Sequence, residues 1–317
     1  MSARPLRIGT RASALALWQA NHVKALLEAP AGAARVELVH IKTAGDLQTQ
    51  VPLWQAGGRA FFTKEIDRAL LEGSVDLAVH SLKDLATELD AGLTLAATLP
   101  RADARDALLS ASGATLAELP AGARVGTSSL RRRAFLARAR PDLRHMELRG
   151  NVPTRVERLR QGEYDAIILA TAGLVRLDLS GTITEYLSPQ VFPPAVSQGI
   201  IGICARAGDA ATLSRLLPLD DREAHLAASA ERALLRHLEG GCQVPLGAYA
   251  RVTDRLLHLE ATVCSLDGVR HVAGTGTGPA SQADAVALGQ RVAQDLLTRG
   301  AGALIAQERS RLGVSAP

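Results

Sequence analysis

Aromatic side chains are scarce in this chain: three Tyr, four Phe and two Trp among 317 residues. A surface that stacks nucleobases needs such rings beside its cations. A net charge of +4, with no Lys/Arg block forming a tail, therefore does not indicate a nucleic-acid partner. Cysteine is scarcer still. Three cysteines without paired spacing argue against a disulfide framework and against a zinc site, so no metal is expected. No apolar run approaches the length of a membrane span, and residues 1–10 lack the apolar core of a secretory leader. No membrane partner is expected, and a reducing cytoplasm is the expected location. What remains is an aliphatic chain, 47% hydrophobic and 21% charged, long enough for two or three domains.

The first hundred residues alternate strands with helices. Residues 6–9, 36–41 and 75–79 read as strands; 12–27 and 62–71 carry helical spacing. A second unit has strands at 124–126 and 166–170 and helices at 130–139 and 154–161. The Pro-rich stretch 189–199 reads as a crossover, after which a strand at 200–204 returns to the first sheet. With a second crossover near 100–105, this predicts two hinged, doubly wound α/β domains of mostly parallel sheet, 1–100 with 200–217 and 106–190. Beyond them, a helix at 221–238, strands near 246–252, 256–264 and 269–275, and a helix at 282–297 predict a small α+β domain, 220–317, with a three-stranded antiparallel sheet.

Ligands of open α/β sheets bind outside the carboxyl ends of strands, where helix N-termini add backbone N–H groups. Four such ends carry cations and hydroxyls: Gly9-Thr-Arg-Ala-Ser13, His80-Ser-Leu-Lys-Asp84, Gly126-Thr-Ser-Ser-Leu-Arg-Arg-Arg133 and Arg149-Gly-Asn-Val-Pro-Thr-Arg155. Arginine's planar fork matches carboxylates with paired hydrogen bonds. One such arginine is ordinarily a solvated helix face; four motifs at strand-to-helix turns point to a small polyanion. Asp84 could stabilise a developing cation or accept ligand N–H bonds, or serve plainly as a helix N-cap or salt-bridge partner. His80, in an apolar strand, reads as a satisfied core histidine. Gly57-Gly58 followed by Arg59 and Lys64 suggests a mobile loop, or a plain turn. Cys242 follows the 221–238 helix and two glycines that stop it, which places it in a loop and open to covalent chemistry. A helix C-terminus disfavours a thiolate, so a permanently loaded thioether suits it better than a redox or protease role. Inert packing remains open on these residues alone.

Read in order, Arg7-Ile-Gly-Thr-Arg11, Val79-His-Ser-Leu-Lys-Asp84, Gly126-Thr-Ser-Ser-Leu-Arg-Arg132, Leu148-Arg-Gly-Asn-Val152, Glu163-Tyr-Asp-Ala-Ile-Ile-Leu-Ala170 and Glu239-Gly-Gly-Cys-Gln-Val-Pro245 closely resemble the porphobilinogen deaminase (hydroxymethylbilane synthase) family, over nearly the whole chain. The resemblance implies a three-domain, monomeric transferase of tetrapyrrole and haem biosynthesis. Such enzymes join four porphobilinogen molecules head to tail with loss of ammonia, then release hydroxymethylbilane by hydrolysis. It implies a dipyrromethane cofactor held through a thioether by Cys242, with Lys83, Arg131, Arg132 and Arg155 gripping its carboxylates, helped by Thr127 and Ser129. Arg11, Ser13, Arg149 and Arg176 would face the substrate, Asp84 would hydrogen-bond pyrrole N–H groups and stabilise the cation left by ammonia, and Arg59 and Lys64 would belong to a flexible loop.

Some positions depart from the family pattern: Ala44, Ala60, Ala86, Arg133, Ser197 and Cys204 stand where arginine, glycine, proline, glutamine, glycine and glutamate are usual. They bear on rate and loop dynamics rather than on reaction type. A non-catalytic hinged anion-binding module, like periplasmic solute-binding domains, is the alternative reading, but the third domain with its cysteine speaks against it. A thiol hydrolase ranks last because no histidine lies in an obvious base motif.

Overall fold

The computed structural model describes residues 4–29, 35–47, 63–238 and 245–313. The chain runs β1 (Leu6–Thr10), α1 (Ala14–Glu28), β2 (Val36–His40), α2 (Ala44–Leu47), α3 (Lys64–Leu71), β3 (Leu77–Ser81) and β4 (Leu93–Thr98). It continues through β5 (Asp106–Ser110), β6 (Arg124–Gly126), α4 (Leu130–Ala139), β7 (Arg144–Met146), α5 (Val152–Arg160), β8 (Ala166–Ala170), α6 (Thr171–Arg176) and β9 (Glu185–Tyr186). The remainder is β10 (Ile201–Arg206), α7 (Ala210–Leu216), α8 (Arg222–His237), β11 (Leu246–Thr253), β12 (Leu256–Cys264), β13 (His271–Pro279), α9 (Gln282–Thr298) and α10 (Ala301–Leu312). Short polar side chains start the helices. Ser13, Ser129, Asn151, Asp221 and Ser281 each accept a bond from the backbone N–H three residues on, filling one of the vacancies every helix start leaves.

Two five-stranded sheets have the orders β2-β1-β3-β10-β4 and β7-β6-β8-β5-β9. In each, four strands share one direction and one runs against its neighbours: β10 in the first, β5 in the second. Those are the two strands entered from a crossover. The expected return strand is present as β10, inserted between β3 and β4. Alternating faces of each sheet bury separate cores. Ile8, Leu77 and Val79 pack with Ala20, Val23 and Leu216, from α1 and α7; Ala78 and Cys204 pack with Ile66, Leu70, Ala224 and Ala228, from α3 and α8. In the second sheet, Val125 and Ile168 meet Phe135 of α4, while Ile167 and Leu169 meet Val156, Leu159 and Leu174 of α5 and α6.

The third sheet, β11-β12-β13, is antiparallel and shares one aliphatic core with α8, α9 and α10. Helices α8 and α9 meet at Gly289, where a Cβ would fall 2.2 Å from the Ala230 carbonyl oxygen. A buried ion pair fastens this unit to both crossovers. Glu231, fully buried, takes Arg101 Nη1 at 2.5 Å and accepts from the backbone N–H groups of Ser197 (2.5 Å) and Ala250 (2.6 Å).

Candidate active site

The site grows from parallel strands that end side by side. β1 and β3 are neighbours, so Arg11 and the turn Leu82–Asp84 emerge at the same edge. Ser13 caps α1 there, and the buried Gln19 of that helix donates to Ser81 Oγ at 2.8 Å. Between them lies a cavity with about 430 Å³ of open space, lined by Arg11, Ser13, Gln19, Thr63, His80 and Asp84, among others. The second sheet presents its own ends across the cleft. At the end of β6, Gly126 leaves room that a Cβ would lack, because it would sit 2.7 Å from the Tyr164 ring. The chain then turns through Thr127 and Ser129 into α4. Lys83, Arg132, Arg155 and Arg176 line a further cavity of about 500 Å³. Leu15 and Ser81 border both spaces, so the two adjoin.

The electrostatics are organised by a residue that the sequence did not single out. Asp106, fully buried at the start of β5, receives Arg131 Nη2 at 2.7 Å and Arg132 Nη2 at 2.8 Å. Burial opposes its ionisation, but the two guanidinium groups outweigh burial and hold its carboxyl well below the usual range. Each arginine is further fixed by a carbonyl: Arg131 donates to Pro193 O (2.6 Å) and Arg132 to Ile168 O (3.0 Å). Around this core the cations are strained by their own company. Burial, then the neighbouring Arg132, pushes Lys83 down to about 8. Burial, then Arg132 and Arg149, pushes Arg155 down to about 10, and burial does the same to Arg176. Arg131 Nε is buried without a partner among the described residues. A polycarboxylate fits this field: it would restore each cation's ordinary affinity for its proton.

The sequence-derived residues fall into distinct places. Lys83, Arg132, Arg155 and Arg176 are gathered in one cavity, so Arg176, assigned by resemblance to the substrate, stands among the cofactor candidates. It donates to Gly199 O at 2.7 Å and lies 5.8 Å from the Trp18 ring centroid. Arg11, Ser13 and Asp84 share the other cavity. Arg149 lines neither, but is close enough to depress Arg155. Thr127 and Ser129 serve the backbone: Thr127 Oγ1 accepts from Ser129 N at 3.2 Å, and Ser129 Oγ caps α4 through Arg132 N. Lys64 is exposed at the start of α3. Asp84 is exposed and, among the described residues, is neither a helix cap nor within ion-pair distance of a cation. His80 differs from expectation: it is buried, but its Nε2 has no partner among the described residues. Burial and Arg11 push it down to about 4, so it stays neutral. Cys242 and Arg59 lie outside the described residues.

Two family models cover most of the chain: "Porphobilinogen deaminase, dipyromethane cofactor binding domain" over residues 6–214 and "Porphobilinogen deaminase, C-terminal domain" over residues 225–298. Curated relatives carrying the name porphobilinogen deaminase include one from Syntrophotalea carbinolica, 49% identical over 306 residues and 96% of each chain. One from a Roseiflexus species is 50% identical over 301 residues, 95% of this chain and 98% of the relative. Among solved structures, a periplasmic substrate-binding protein of an ABC transporter from Coxiella burnetii aligns with 68% of this chain and 91% of its own. Its TM-score is 0.44 at 15% identity, too slight a likeness to inform the site. On the family models and on near-half identity sustained along almost the whole length, this chain belongs to the porphobilinogen deaminase family.

Proposed function

We propose that the chain joins four porphobilinogen molecules head to tail, releasing ammonia each time, and then frees hydroxymethylbilane by hydrolysis. The observation that carries this reading is the pair of adjoining cavities, one ringed by Lys83, Arg132, Arg155 and Arg176 and the other holding Arg11, Ser13 and Asp84. Each pyrrole of this chemistry bears an acetate and a propionate, so a two-pyrrole cofactor presents four carboxylates to the first cavity. Charge-assisted bonds contribute roughly 1.5–3 kcal/mol each, and the cations are already fixed by Asp106 and by carbonyls. When bound, dipyrromethane supplies the pyrrole carbon to which the first substrate is joined. Cys242 would hold it through a thioether.

Arg11 and Ser13 orient the substrate's carboxylates in the second cavity, with Arg149 close to Arg155 of the first. As the substrate's C–N bond breaks, the electron pair leaves with ammonia and positive charge stays on the pyrrole. Among the described residues, Asp84 is the only carboxylate lining that cavity; it stabilises that charge and takes hydrogen bonds from pyrrole N–H groups. The new C–C bond releases a ring proton, which the same carboxylate can pass to solvent because it is exposed. Neutral His80 adds no positive charge against the developing cation.

We take the working molecule to be a cytoplasmic monomer of three units, 1–100 with 200–217, 106–190 and 220–317. Each sheet has a core of its own, in keeping with that division, although Ala224 and Ala228 of α8 also pack against the first sheet and Cys264 of β12 against the second; no helix among the described residues is long and apolar enough to cross a membrane. The test is incubation with porphobilinogen, following ammonia release and a pyrrole-specific colour reaction. Stoichiometric ammonia with appearance of a linear tetrapyrrole is expected. Binding without ammonia release would overturn the enzyme reading in favour of an anion-binding module.

A further inference from the structure

Gln198 lies on the crossover leading into β10 and is completely buried. Its side-chain oxygen accepts from Lys83 Nζ at 3.1 Å. Its nitrogen donates to Asp106 Oδ1 at 2.9 Å and to Ala104 O at 2.8 Å. The amide's orientation follows from its partners, because an ammonium can only donate and a carboxylate and a carbonyl can only accept. Lys83 belongs to the end of β3 in the first sheet, Asp106 to β5 in the second. The backbone holds Gln198 equally firmly: Arg101 Nε donates to its carbonyl at 2.9 Å, and Ser197 and Gly199 on either side both have positive φ, 62° and 92°.

We infer that Gln198 is a positioning residue for the condensation, its amide bridging the two sheets so that the cations on either side of the cleft keep one spacing. The inference rests on the function proposed above. One arm orients the Lys83 ammonium toward the cavity; the other orients the carboxylate that fixes Arg131 and Arg132. Loss of either arm uncouples the two halves of the carboxylate grip without removing a group that touches substrate.

The test uses full-length Gln198→Glu and Gln198→Leu beside the native chain. Acetylation of Lys83 by acetic anhydride is followed against pH on the digested peptide, in protein prepared free of cofactor. Lys83 is faced by Arg131 and Arg132 of α4, Asp106 of β5 and its neighbour Asp84, with Arg155 and Arg176 lining the same cavity; none of these changes between the variants. Glutamate keeps an acceptor for Lys83 and adds charge, so the acetylation midpoint should rise by about one pH unit or more. Leucine removes the acceptor, so the midpoint should fall. Both variants break the Asp106 arm, and kcat should drop about tenfold or more while KM for porphobilinogen changes little. A midpoint that stays still, or moves the same way in both variants, overturns the bridge, as does unchanged kcat in both when the native chain is active. Native protein that makes no hydroxymethylbilane would overturn the function itself, and the positioning role with it.

Discussion

Replacing Ser197 with glycine should stabilise the chain. Ser197 adopts φ 62°, a left-handed conformation that costs an L-residue roughly 1–2 kcal/mol. The residue is fully buried and its hydroxyl has no partner among the described residues; a stranded hydroxyl costs about 1–3 kcal/mol. Glycine returns part of this gain through its larger loss of backbone entropy, about 0.5–1 kcal/mol. Two substitutions separate the contributions. Ser197→Ala removes the hydroxyl and keeps the strain, for an expected gain of about 1 kcal/mol. Ser197→Gly removes both, for about 2 kcal/mol. Neither disturbs the bond from the Ser197 backbone N–H to Glu231. With an m-value of about 3 kcal/mol per molar urea, the glycine variant should unfold at a midpoint roughly 0.7 M higher. A glycine variant no more stable than the alanine variant would refute the strain, and an alanine variant no more stable than the native chain would refute the stranded hydroxyl.

Asp106→Asn leaves Arg131 and Arg132 buried without their counter-charge and should cost about 3–5 kcal/mol in urea unfolding. Because this carboxyl is held below its unfolded value, its contribution is fully present above that value and is lost as pH falls through the folded one. The deficit of the Asn variant should thus be constant from about pH 5 to 8 and shrink in strong acid; a deficit that grows with acidity would contradict the assignment. Asp84→Asn should load cofactor normally by intact mass yet lose about a hundredfold or more in kcat, and near-native kcat would remove Asp84 from the chemistry. Arg149→Gln should lower kcat/KM about tenfold, read in initial rates; an unchanged ratio would count against its role in substrate engagement. Cofactor-free protein should load more slowly as pH rises past about 8, where Lys83 loses its charge, and Lys83→Arg should abolish that decline.

The strand-end motifs were legible because each is local: a strand, a turn and a capped helix written within a dozen residues. The structure places Arg11, Lys83, Asp84, Arg132 and Arg155 around adjoining spaces for that reason, while Arg176, which joins them, was reached only through the family resemblance. Asp106 was illegible because its partners Arg131, Arg132 and Gln198 lie far along the chain, and only the reversed strand β5 carries it beneath α4. The hydroxyls of Thr127 and Ser129 were correctly placed at a turn, but their bonds go to the backbone of the α4 start. His80 was read as satisfied because an apolar strand hides whether a ring nitrogen finds a partner. Among the elements missed, β5 and α10 as well as β4 stand out: four of the six residues of Leu93–Thr98 are alanine or threonine, and the Gly300-Ala-Gly-Ala start of α10 reads as a loop. The resemblance noted glycine as usual at position 197; the positive φ of Ser197 supplies a physical reason.

Whether Cys242 carries a dipyrromethane is read directly from the intact mass of the native chain beside Cys242→Ser after incubation of both with porphobilinogen. Added mass equal to two linked pyrrole units is expected on the native chain and none on the serine variant. A bare mass for both, or equal added mass on both, would contradict that attachment.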